Sequence, residues 1–404
     1  MPHQTALPNP VHPLPRLLHL TADHPDSIQP HKTPAVSGLL ATATWADNLV
    51  ISLNRSASPV RADHFIDDGD GVLATPYQGL PYGMGLAHWM GRVARRVEAQ
   101  LGRMGRQVDL IHAHKLTFEG LAAQALGQRL GVPHVVTVRG HTDHKVVAAK
   151  PLLRARYRAI LQSAGSVFFI APWSLRRLQQ QLDIEIPQAV MLPNICRRMD
   201  APQAMAAPTN RFVSLFHFRS WRVKNIVNVF AALARLQQAG VDVALDVIGA
   251  ADDTELAAMQ ALATRHGVAA WVRCLPAMSH AQLQGQLGQY AGLVLPSYPE
   301  TFGMVYIEAL SAGLPVIHAR DSGIDGYFND PLLACSADHR DPASIAAAMQ
   351  QGLQRMALSR AAVQRFHADG GLAQFGAPAV GAAYRAAVEQ AMQLSAATGR
   401  AMPA

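Results

Sequence analysis

The sequence predicts an α/β fold made of two doubly wound, Rossmann-like domains that face a central cleft. Short apolar runs alternate with segments of helical periodicity along the 404 residues, a pattern typical of parallel sheets with crossover helices. Half of the residues are hydrophobic and only 16% are charged, so there is enough apolar surface for two packed cores. Because the chain is too long for one typical core, two domains of about 200 residues each are expected.

In the first half, the apolar runs that predict strands are followed by segments that predict helices. The strands are expected at residues 17–21, 48–53 and 109–114, within 131–143, and at 166–170 and 189–192. The helices are expected from Pro34, at 85–103, from Thr117, at 151–164 and from Pro172. We therefore predict a first domain over residues 1–196.

The second half repeats the pattern. Its strands are expected at 211–218, 243–248, 271–275, 291–295 and 315–318. Its helices are expected to end near Gln238, to run from Phe302 to Gly313, and to fill the chain from Asp341, with the last one near 377–394. Residues 197–210 are rich in Ala and Pro and lack periodicity, which predicts a linker. A second domain is expected over 211–375 and a terminal helix over 376–404.

Cysteine usage and the lack of a long apolar run predict a cytoplasmic protein. Cys196, Cys274 and Cys335 are far apart and odd in number, which favours free thiols in a reducing compartment. The first twenty residues are rich in proline, unlike a signal peptide. No segment of the sequence approaches the roughly eighteen apolar residues that a membrane span needs.

The net charge of +7 favours anionic partners such as nucleotide diphosphates or lipid headgroups. Arg92, Arg95, Arg96, Arg103 and Arg106 gather on one predicted helix and its exit. They form either a solvated helix face or a patch that rests peripherally on an anionic membrane at the inner face. No nucleic-acid partner is expected, because the sequence shows no nucleic-acid-binding motif.

Two sequence patterns raise the question of a metal site. Asp68 and Asp70 form an Asp-x-Asp, but they flank a glycine outside any strand-to-helix unit, so a hairpin turn is favoured. His112 and His114 lie on one predicted strand and point the same way. A third ligand is not evident in the sequence, so no metal site is predicted there either.

The stretch from Pro296 to Gly313 organises the second half. It reads as the end of a buried strand, a Pro-Ser-Tyr-Pro break and a helix whose first amides have no internal partners. Gly303 would let a ligand approach the backbone, and Glu300 and Glu308 would place two carboxylates on the ligand side. Spacing alone also permits an ordinary connection with two solvated glutamates.

The longer string Pro-Ser-x-x-Glu-Thr-Phe-Gly-x-x-x-x-Glu-Ala-x-x-x-Gly-x-Pro-Val-Ile, from Pro296 to Ile317, resembles the signature of retaining GT-B glycosyltransferases, in particular family 4, the group 1 glycosyl transferases. The resemblance implies that Glu300 holds the donor sugar and that Glu308 takes the ribose hydroxyls. It places the donor phosphates at the backbone of Thr301, Phe302, Gly303 and Met304.

A second motif, with two basic residues, supports the same resemblance. Arg219 and Lys224 follow the first strand of the second half, and their Arg-x4-Lys spacing resembles the family's phosphate-binding turn, although Phe218 and Asn225 replace its usual glycines. The resemblance implies that the two cations neutralise the leaving diphosphate. Surface cations are the alternative. Opposed cations are what a departing diphosphate requires.

The remaining site residues are also implied by resemblance. Gly249 stands where relatives have a glycine-rich turn, and Leu275 ends the strand expected against the nucleotide base. Arg139 occupies a position at which relatives bring a side chain to the transferred sugar, so it joins the catalytic set; a structural arginine is the alternative. His114 and His141 are placed on the acceptor side.

Together these features imply a retaining, hexosyltransferase-type glycosyltransferase. It would transfer sugar from a nucleotide-diphosphate sugar to the hydroxyl of a carbohydrate or lipid-linked acceptor, in cell-surface polysaccharide or glycolipid synthesis. No metal or cofactor is expected, because the protein supplies the cations. Two alternatives stay open: a non-catalytic nucleotide-sugar-binding subunit, suggested by the missing glycines, and a GT-B sugar-nucleotide epimerase. A dinucleotide oxidoreductase is disfavoured, because no Gly-x-Gly-x-x-Gly follows the first strand.

Overall fold

The computed structural model describes residues 14–56, 64–199 and 209–399, which divide into two compact units. Unit 1 comprises Met1–Thr137, Ala159–Ser166 and Arg385–Ala404, and unit 2 comprises Val138–Arg158 and Val167–Tyr384. The domain boundaries drawn from the sequence stay a prediction. Most of the predicted linker, residues 200–208, lies outside the described residues.

Every strand predicted from an apolar run is present, with its ends moved by a few residues. The strands are β1 (Arg16–Thr21), β2 (Asp47–Ser56), β3 (Ile66–Gly69), β4 (Val72–Gln78), β5 (Leu110–Ala113), β6 (His134–Val138), β7 (Val167–Phe169), β8 (Ala189–Met191), β9 (Arg211–Leu215), β10 (Ala244–Ala250), β11 (Val272–Pro276), β12 (Leu293–Leu295), β13 (Val316–Ala319) and β14 (Ala334–Ala337).

The predicted helices are also present, together with three that the sequence did not predict. The helices are α1 (Ala35–Leu40), α2 (Leu86–Arg103), α3 (Glu119–Leu130), α4 (His141–Ala149), α5 (Arg154–Ser163), α6 (Pro172–Leu182), α7 (Ile226–Gln238), α8 (Asp253–Arg265), α9 (His280–Leu287), α10 (Met304–Ser311), α11 (Pro342–Gln354), α12 (Met356–Ala368) and α13 (Ala377–Thr398). Helices α4, α8 and α9 are the unpredicted ones. None of the helices in the described ranges combines the length and apolar character that a bilayer crossing needs.

Unit 1 is built on a sheet in the order β3-β4-β2-β1-β5-β6. Its neighbours are parallel except β3 and β4, which pair antiparallel around the turn that contains Asp70. The hairpin predicted for the Asp-x-Asp segment is therefore confirmed. Strand β1 lies centrally because Leu17, Leu18 and Leu20 are apolar and fully buried, as a strand covered on both faces requires.

Unit 2 contains the parallel pair β7-β8 and a six-stranded parallel sheet in the order β11-β10-β9-β12-β13-β14. The order reverses between β9 and β12, which are neighbours although they are far apart in sequence. Loops that follow these two strands leave from the same sheet edge, where α/β folds bind ligands. The signature stretch follows β12, and the Arg219–Lys224 turn follows β9.

The buried carboxylate of Asp246 connects three neighbouring strands of unit 2. Asp246 on β10 is fully buried and accepts hydrogen bonds from Arg211 Nη1 and Arg273 Nε, both at 2.8 Å. The hydroxyl of Tyr290 donates to the same carboxylate at 2.8 Å. These partners lie on β9, on β11 and just before β12, so Asp246 ties neighbouring elements together.

We predict that Asp246→Ala lowers the free energy of unfolding by about 2–4 kcal/mol, because the buried Tyr290 hydroxyl and the partly buried Arg211 guanidinium lose their acceptor. Urea unfolding monitored by circular dichroism measures the change. Glu389→Ala is the matched control, since the Arg385–Glu389 pair is exposed and should be worth under about 0.5 kcal/mol. Equal stabilities of the two variants would contradict the role given to Asp246.

Candidate functional site

The loop between β12 and α10 is held by backbone and hydroxyl contacts within unit 2. The amide of Glu300 donates to Ser322 Oγ at 2.9 Å, and the carbonyl of Glu300 accepts from Gly323 N at 2.8 Å. The hydroxyl of Tyr306 on α10 donates to Leu295 O at 2.6 Å. These contacts hold the backbone of Glu300 independently of the contacts that its side chain makes.

Lys224 and Glu300 form the central ion pair of the site. Lys224 Nζ lies 2.6 Å from Glu300 Oε2, and the two side chains are 23% and 17% exposed. The pair joins the turn after β9 to the loop after β12. Asn225 reinforces this junction by donating to Pro296 O at 3.2 Å and to His339 O at 2.7 Å. A charge-assisted contact in a partly buried setting is stronger than a surface ion pair.

Arg219 forms an ion pair with a different residue. Its side chain is 78% exposed, and Arg219 Nε lies 3.0 Å from Glu255 Oε1 on α8. The structure therefore brings Lys224 and Glu300 together and gives Arg219 a different partner. Its predicted contact with a diphosphate stays a prediction.

The start of α10 differs from the prediction by two residues. The helix begins at Met304 rather than Phe302, because the Phe302 side chain is buried against Tyr327 and Phe375. Gly303 caps the helix with φ of 76°, and a Cβ there would lie 2.4 Å from Tyr306 Cε2. Tyr306 N donates to Gly303 O at 3.0 Å, so the amides of Met304 and Val305 are the ones that precede the first backbone hydrogen bond of the helix.

Gly249 is required by packing inside the sheet. Its φ is 141°, and a Cβ at this position would lie 1.9 Å from the Phe216 carbonyl oxygen. The clash is with backbone, which cannot rotate away. Leu275 pairs with Ile248 at the adjacent edge strand, and Thr301 lies 3.5 Å from a Cβ built on Gly140. The donor-binding roles of these residues stay predictions.

Aromatic rings surround His141 beside the Glu300 loop. The His141 ring centroid lies 4.5 Å from that of Trp173 and 5.2 Å from that of Tyr298. Tyr298 also stacks on His339 at 3.9 Å. Burial, with the nearby charge of Arg177, lowers the pKa of His141 to about 4. His141 is therefore a neutral imidazole near pH 7, able to donate one hydrogen bond and accept another without carrying charge.

The rings of His141, Trp173 and Tyr298 form an aromatic wall. The Trp173 indole connects this wall to the Glu300 loop. Trp173 Nε1 donates to Gly323 O at 2.9 Å, which ties α6 to the loop that holds Glu300. His144 packs against the same indole and contacts Ser174 Oγ at 2.8 Å. A Cβ on Gly140 would lie 3.2 Å from the Trp173 ring, so a larger side chain would displace it.

A cavity of about 450 Å³ within unit 2 is lined in part by Tyr298 and Trp173. Four of its lining side chains are arginines, and two are aspartates. The lining residues are Trp173, Arg176, Arg177, Gln180, Tyr298, Arg320, Asp321, Asp338, His339 and Arg340. The excess of guanidinium groups over carboxylates favours an anionic ligand.

Arg139 and Glu308 lie within unit 2. The Arg139 amide donates to Asp143 Oδ2 at 3.0 Å, which closes the turn into α4. Glu308, on the second turn of α10, is near enough to Cys196 that its charge adds to burial in raising the pKa of that thiol to about 11. The ribose and sugar contacts predicted for Glu308 and Arg139 stay predictions.

Both halves of the sequence match family models of one enzyme class. Residues 36–195 match the glycosyl transferase 4-like domain, and residues 198–365 match glycosyl transferases group 1. The chain is 26% identical over 379 residues to a D-inositol 3-phosphate glycosyltransferase from Streptomyces scabiei, covering 83% of each chain. The chain belongs to the group 1 glycosyltransferases of family 4.

Solved structures agree with this glycosyltransferase family at the level of fold. An α,α-trehalose 6-phosphate synthase from Burkholderia multivorans matches with a TM-score of 0.66 and 13% identity, covering 97% of this chain and 100% of that one. A trehalose-6-phosphate protein from E. coli bound with UDP-2-fluoro glucose matches with a TM-score of 0.62 and 11% identity, covering 93% and 99%. The predicted GT-B class, with two Rossmann-like parallel-sheet arrangements, is confirmed.

Several residues of this candidate site were not predicted from the sequence. Tyr298 stands inside the signature, but the loop alone does not show that it stacks on His339. Trp173 and Ser322 contact the Glu300 loop from segments far away in sequence. Their only sequence signal is a position just after a predicted strand, which many other residues share.

The carboxyl edge of the unit 1 sheet holds His114 and a buried carboxyl group. His114 is fully buried, with its Nε2 3.2 Å from His19 Nδ1. Glu119, at the start of α3, accepts a hydrogen bond from Ala22 N at 2.7 Å through Oε1. Its Oε2 has no hydrogen-bond partner among the described residues. Burial raises the pKa of Glu119 to about 7.

We predict that Glu119 makes unit 1 less stable as pH rises from about 4.5 to 7. The folded state keeps this carboxyl protonated in that window, whereas the unfolded chain releases the proton at about pH 4.3, so the unfolded state binds fewer protons. Glu119→Gln keeps an acceptor for Ala22 N and cannot ionise. The stability of Glu119→Gln relative to the wild type should therefore rise across this window, by up to about 3 kcal/mol.

Chemical unfolding of both proteins at several pH values measures this difference. Buried histidines with a lowered pKa, such as His134 at about 4, also make stability depend on pH near this window. They are common to both proteins, so their contribution cancels in the comparison. A difference that does not change between pH 4.5 and 7.5 would show that Glu119 ionises normally in the folded chain.

Proposed function

We propose that this glycosyltransferase transfers a sugar, with retention of configuration, from a nucleotide-diphosphate sugar to an acceptor hydroxyl. The observation that carries the proposal is the Lys224–Glu300 pair, at 2.6 Å, in the loop that leads into the N-terminus of α10. It combines a cation for a leaving diphosphate with a carboxylate for sugar hydroxyls. The UDP-2-fluoro glucose in the E. coli relative supports a nucleotide-sugar donor.

Lys224 would act by electrostatic stabilisation. As the bond to the anomeric carbon breaks, negative charge grows on the diphosphate, and a cation already in place stabilises that charge without reorganisation. Glu300 holds the Lys224 side chain in position before the donor arrives. The first amides of α10, at Met304 and beyond, would add fixed dipoles directed at the phosphates. Arg219 would reach the same phosphates by leaving Glu255.

Glu300 and His141 would hold the transferred sugar. The Glu300 carboxylate can accept from two sugar hydroxyls through the lone pairs that Lys224 does not use. His141 is kept neutral by its buried position beside Trp173, so it can hydrogen-bond an uncharged sugar without adding a buried charge. Arg139, two residues earlier, is assigned to the same sugar.

The acceptor would carry an anionic group. The arginine-lined cavity supports this, because Arg177, Arg320 and Arg340 line about 450 Å³ of space that Tyr298 and Trp173 of the aromatic wall also line. The relative from Streptomyces scabiei is named for a phosphorylated acceptor, inositol 3-phosphate. A sugar phosphate or a lipid-linked phosphate would fit this chemistry, and the latter suits cell-surface polysaccharide or glycolipid synthesis.

We predict that Lys224→Ala lowers the rate of sugar transfer by about two to three orders of magnitude, because the leaving diphosphate loses its preorganised cation. Nucleotide release in the presence of a panel of phosphorylated and unphosphorylated acceptors measures the rate. Lys145→Ala, which removes an exposed lysine on α4, should leave the rate unchanged. Circular dichroism checks that both variants are folded.

Unchanged turnover in Lys224→Ala would overturn the proposed role. The same assay separates the other functions compatible with the fold. A nucleotide-sugar-binding subunit would give calorimetric heat with UDP-, GDP- or ADP-sugars but release no nucleotide. An epimerase would convert the donor sugar without any acceptor.

We propose further that α2 places the enzyme at the inner surface of an anionic membrane. Arg92, Arg95 and Arg103 are exposed on α2 and line an open groove of about 440 Å³ with Phe65. Tyr82 and Met84, just before the helix, are 93% and 54% exposed. Exposed aromatic and apolar side chains next to arginines match the chemistry of a lipid headgroup region.

We predict that Arg92→Glu with Arg95→Glu weakens binding to vesicles containing anionic phosphatidylglycerol by at least about tenfold, since each cation contributes about 1 kcal/mol near such a surface. Vesicle flotation measures the bound fraction. Arg265→Glu with Arg365→Glu changes net charge equally at exposed positions on α8 and α12, and should bind as the wild type does. Equal loss in both double variants would indicate attraction by net charge alone.

A further inference from the structure

Three histidines meet on one face of the unit 1 sheet. Strands β1 and β5 pair in parallel with His19 opposite His112, so these two side chains leave the sheet on the same side. His114 lies two residues after His112 and returns to that side. The sequence separates His19 from His112 by about half of the predicted first domain, which is why no third ligand was evident.

The three imidazoles are fully buried and close together. His112 and His114 stack with ring centroids 3.9 Å apart, and the His19 ring lies 5.6 and 5.4 Å from them. One ring nitrogen from each histidine lies within 4.8 Å of those from the other two. Burying three polar rings in one place has a desolvation cost that a shared ligand would offset.

Asn48 fixes the tautomer of His19. The Asn48 amide nitrogen donates to the carbonyls of Ala43 at 2.9 Å and Ala46 at 3.1 Å, so its oxygen must face His19 Nε2 at 3.0 Å. His19 Nε2 therefore carries the proton. The lone pair is on His19 Nδ1, and that atom lies 3.2 Å from His114 Nε2.

The same arrangement is repeated at His112. His112 Nε2 lies 2.8 Å from Thr137 Oγ1, which can accept its proton and leave Nδ1 as the ligand atom. Each of these two histidines thus has an outer partner that orients the ring. An oriented second nitrogen is the usual companion of a metal-binding imidazole.

The nitrogen spacing fits a tetrahedral metal site. Zinc–imidazole bonds of about 2.0–2.1 Å at tetrahedral angles separate the two nitrogens by about 3.3 Å. The separation between His19 Nδ1 and His114 Nε2 is 3.2 Å. Metal binding needs His114 in the tautomer with its proton on Nδ1. The third nitrogen lies within 4.8 Å of the other two, so metal binding requires it to move closer by up to about 1.5 Å.

We propose that His19, His112 and His114 bind one Zn²⁺ ion in unit 1. Imidazole suits zinc and other late transition metals, and an all-nitrogen set without carboxylates disfavours Mg²⁺, Ca²⁺ and Mn²⁺. Three protein ligands leave the fourth tetrahedral position to a water molecule. The ion would link β1 to β5, and it takes no part in the sugar transfer proposed above.

Isothermal titration of the full chain, first treated with a chelator and then dialysed, tests the proposal with ZnCl₂, and with MgCl₂ as the metal control. We expect one Zn²⁺ per chain, no heat from Mg²⁺, and a rise in the temperature of unfolding with zinc. His19→Asn should abolish binding, and Asn48→Ala should weaken it about 10- to 100-fold by releasing the His19 ring.

His134→Asn is the matched control. His134 is equally buried in the same sheet, but its Nε2 contacts Ile160 O and it is not part of the cluster, so its variant should still bind one zinc ion. A wild-type chain that takes up no zinc overturns the proposal and leaves the cluster as a hydrogen-bonded part of the core. Zinc bound equally well by wild type and His19→Asn overturns it as well.

A second readout covers the case in which His19→Asn fails to fold. His112→Cys keeps a metal ligand at the site, and Co²⁺ then replaces zinc as a coloured probe. We expect visible absorption of tetrahedral cobalt in the wild type, and an added sulfur-to-cobalt charge-transfer band in His112→Cys. A cobalt spectrum identical in the two proteins would show that the metal lies elsewhere.

Discussion

The contact between Lys224 and Glu300 is the interaction on which the unit 2 site depends. It spans 2.6 Å between two turns that follow neighbouring strands, β9 and β12. The backbone of Glu300 is already held by Ser322 and Gly323, so the ion pair adds only the side-chain position. Under the proposed function, a lysine held in this way would be in position when the diphosphate leaves, which is the condition for electrostatic catalysis. The aromatic wall and the opening amides of α10 are arranged around that pair.

Buried polar groups serve different purposes in the two units. In unit 2, Asp246 is surrounded by donors and holds the sheet, while His141 is neutral and lies beside the loop that carries Glu300. In unit 1, the buried histidines face one another, and Glu119 is held by Ala22 N through one oxygen. Satisfied buried groups stabilise a fold, whereas partly satisfied ones mark places where a proton or an ion can bind.

The strands and long helices were predictable because they depend on local periodicity. The unpredicted helix α4 shows the limit of that signal. Its buried residues are Asp143, His144 and Val147, so two of the three are polar and no continuous apolar stripe appears in the sequence. The start of α10 was misplaced for a similar reason, because Phe302 is apolar yet belongs to the core of the loop and not to the helix.

By itself, the sequence determined the α/β class, the family and the loop that carries Glu300, because the signature is contiguous in the chain. Only the tertiary structure decided which distant side chains meet. It paired Lys224 with Glu300, gave Arg219 to Glu255, and brought His19 beside His112 and His114. These contacts follow from strand order and register, which depend on packing of the whole sheet and leave no short-range pattern in the chain.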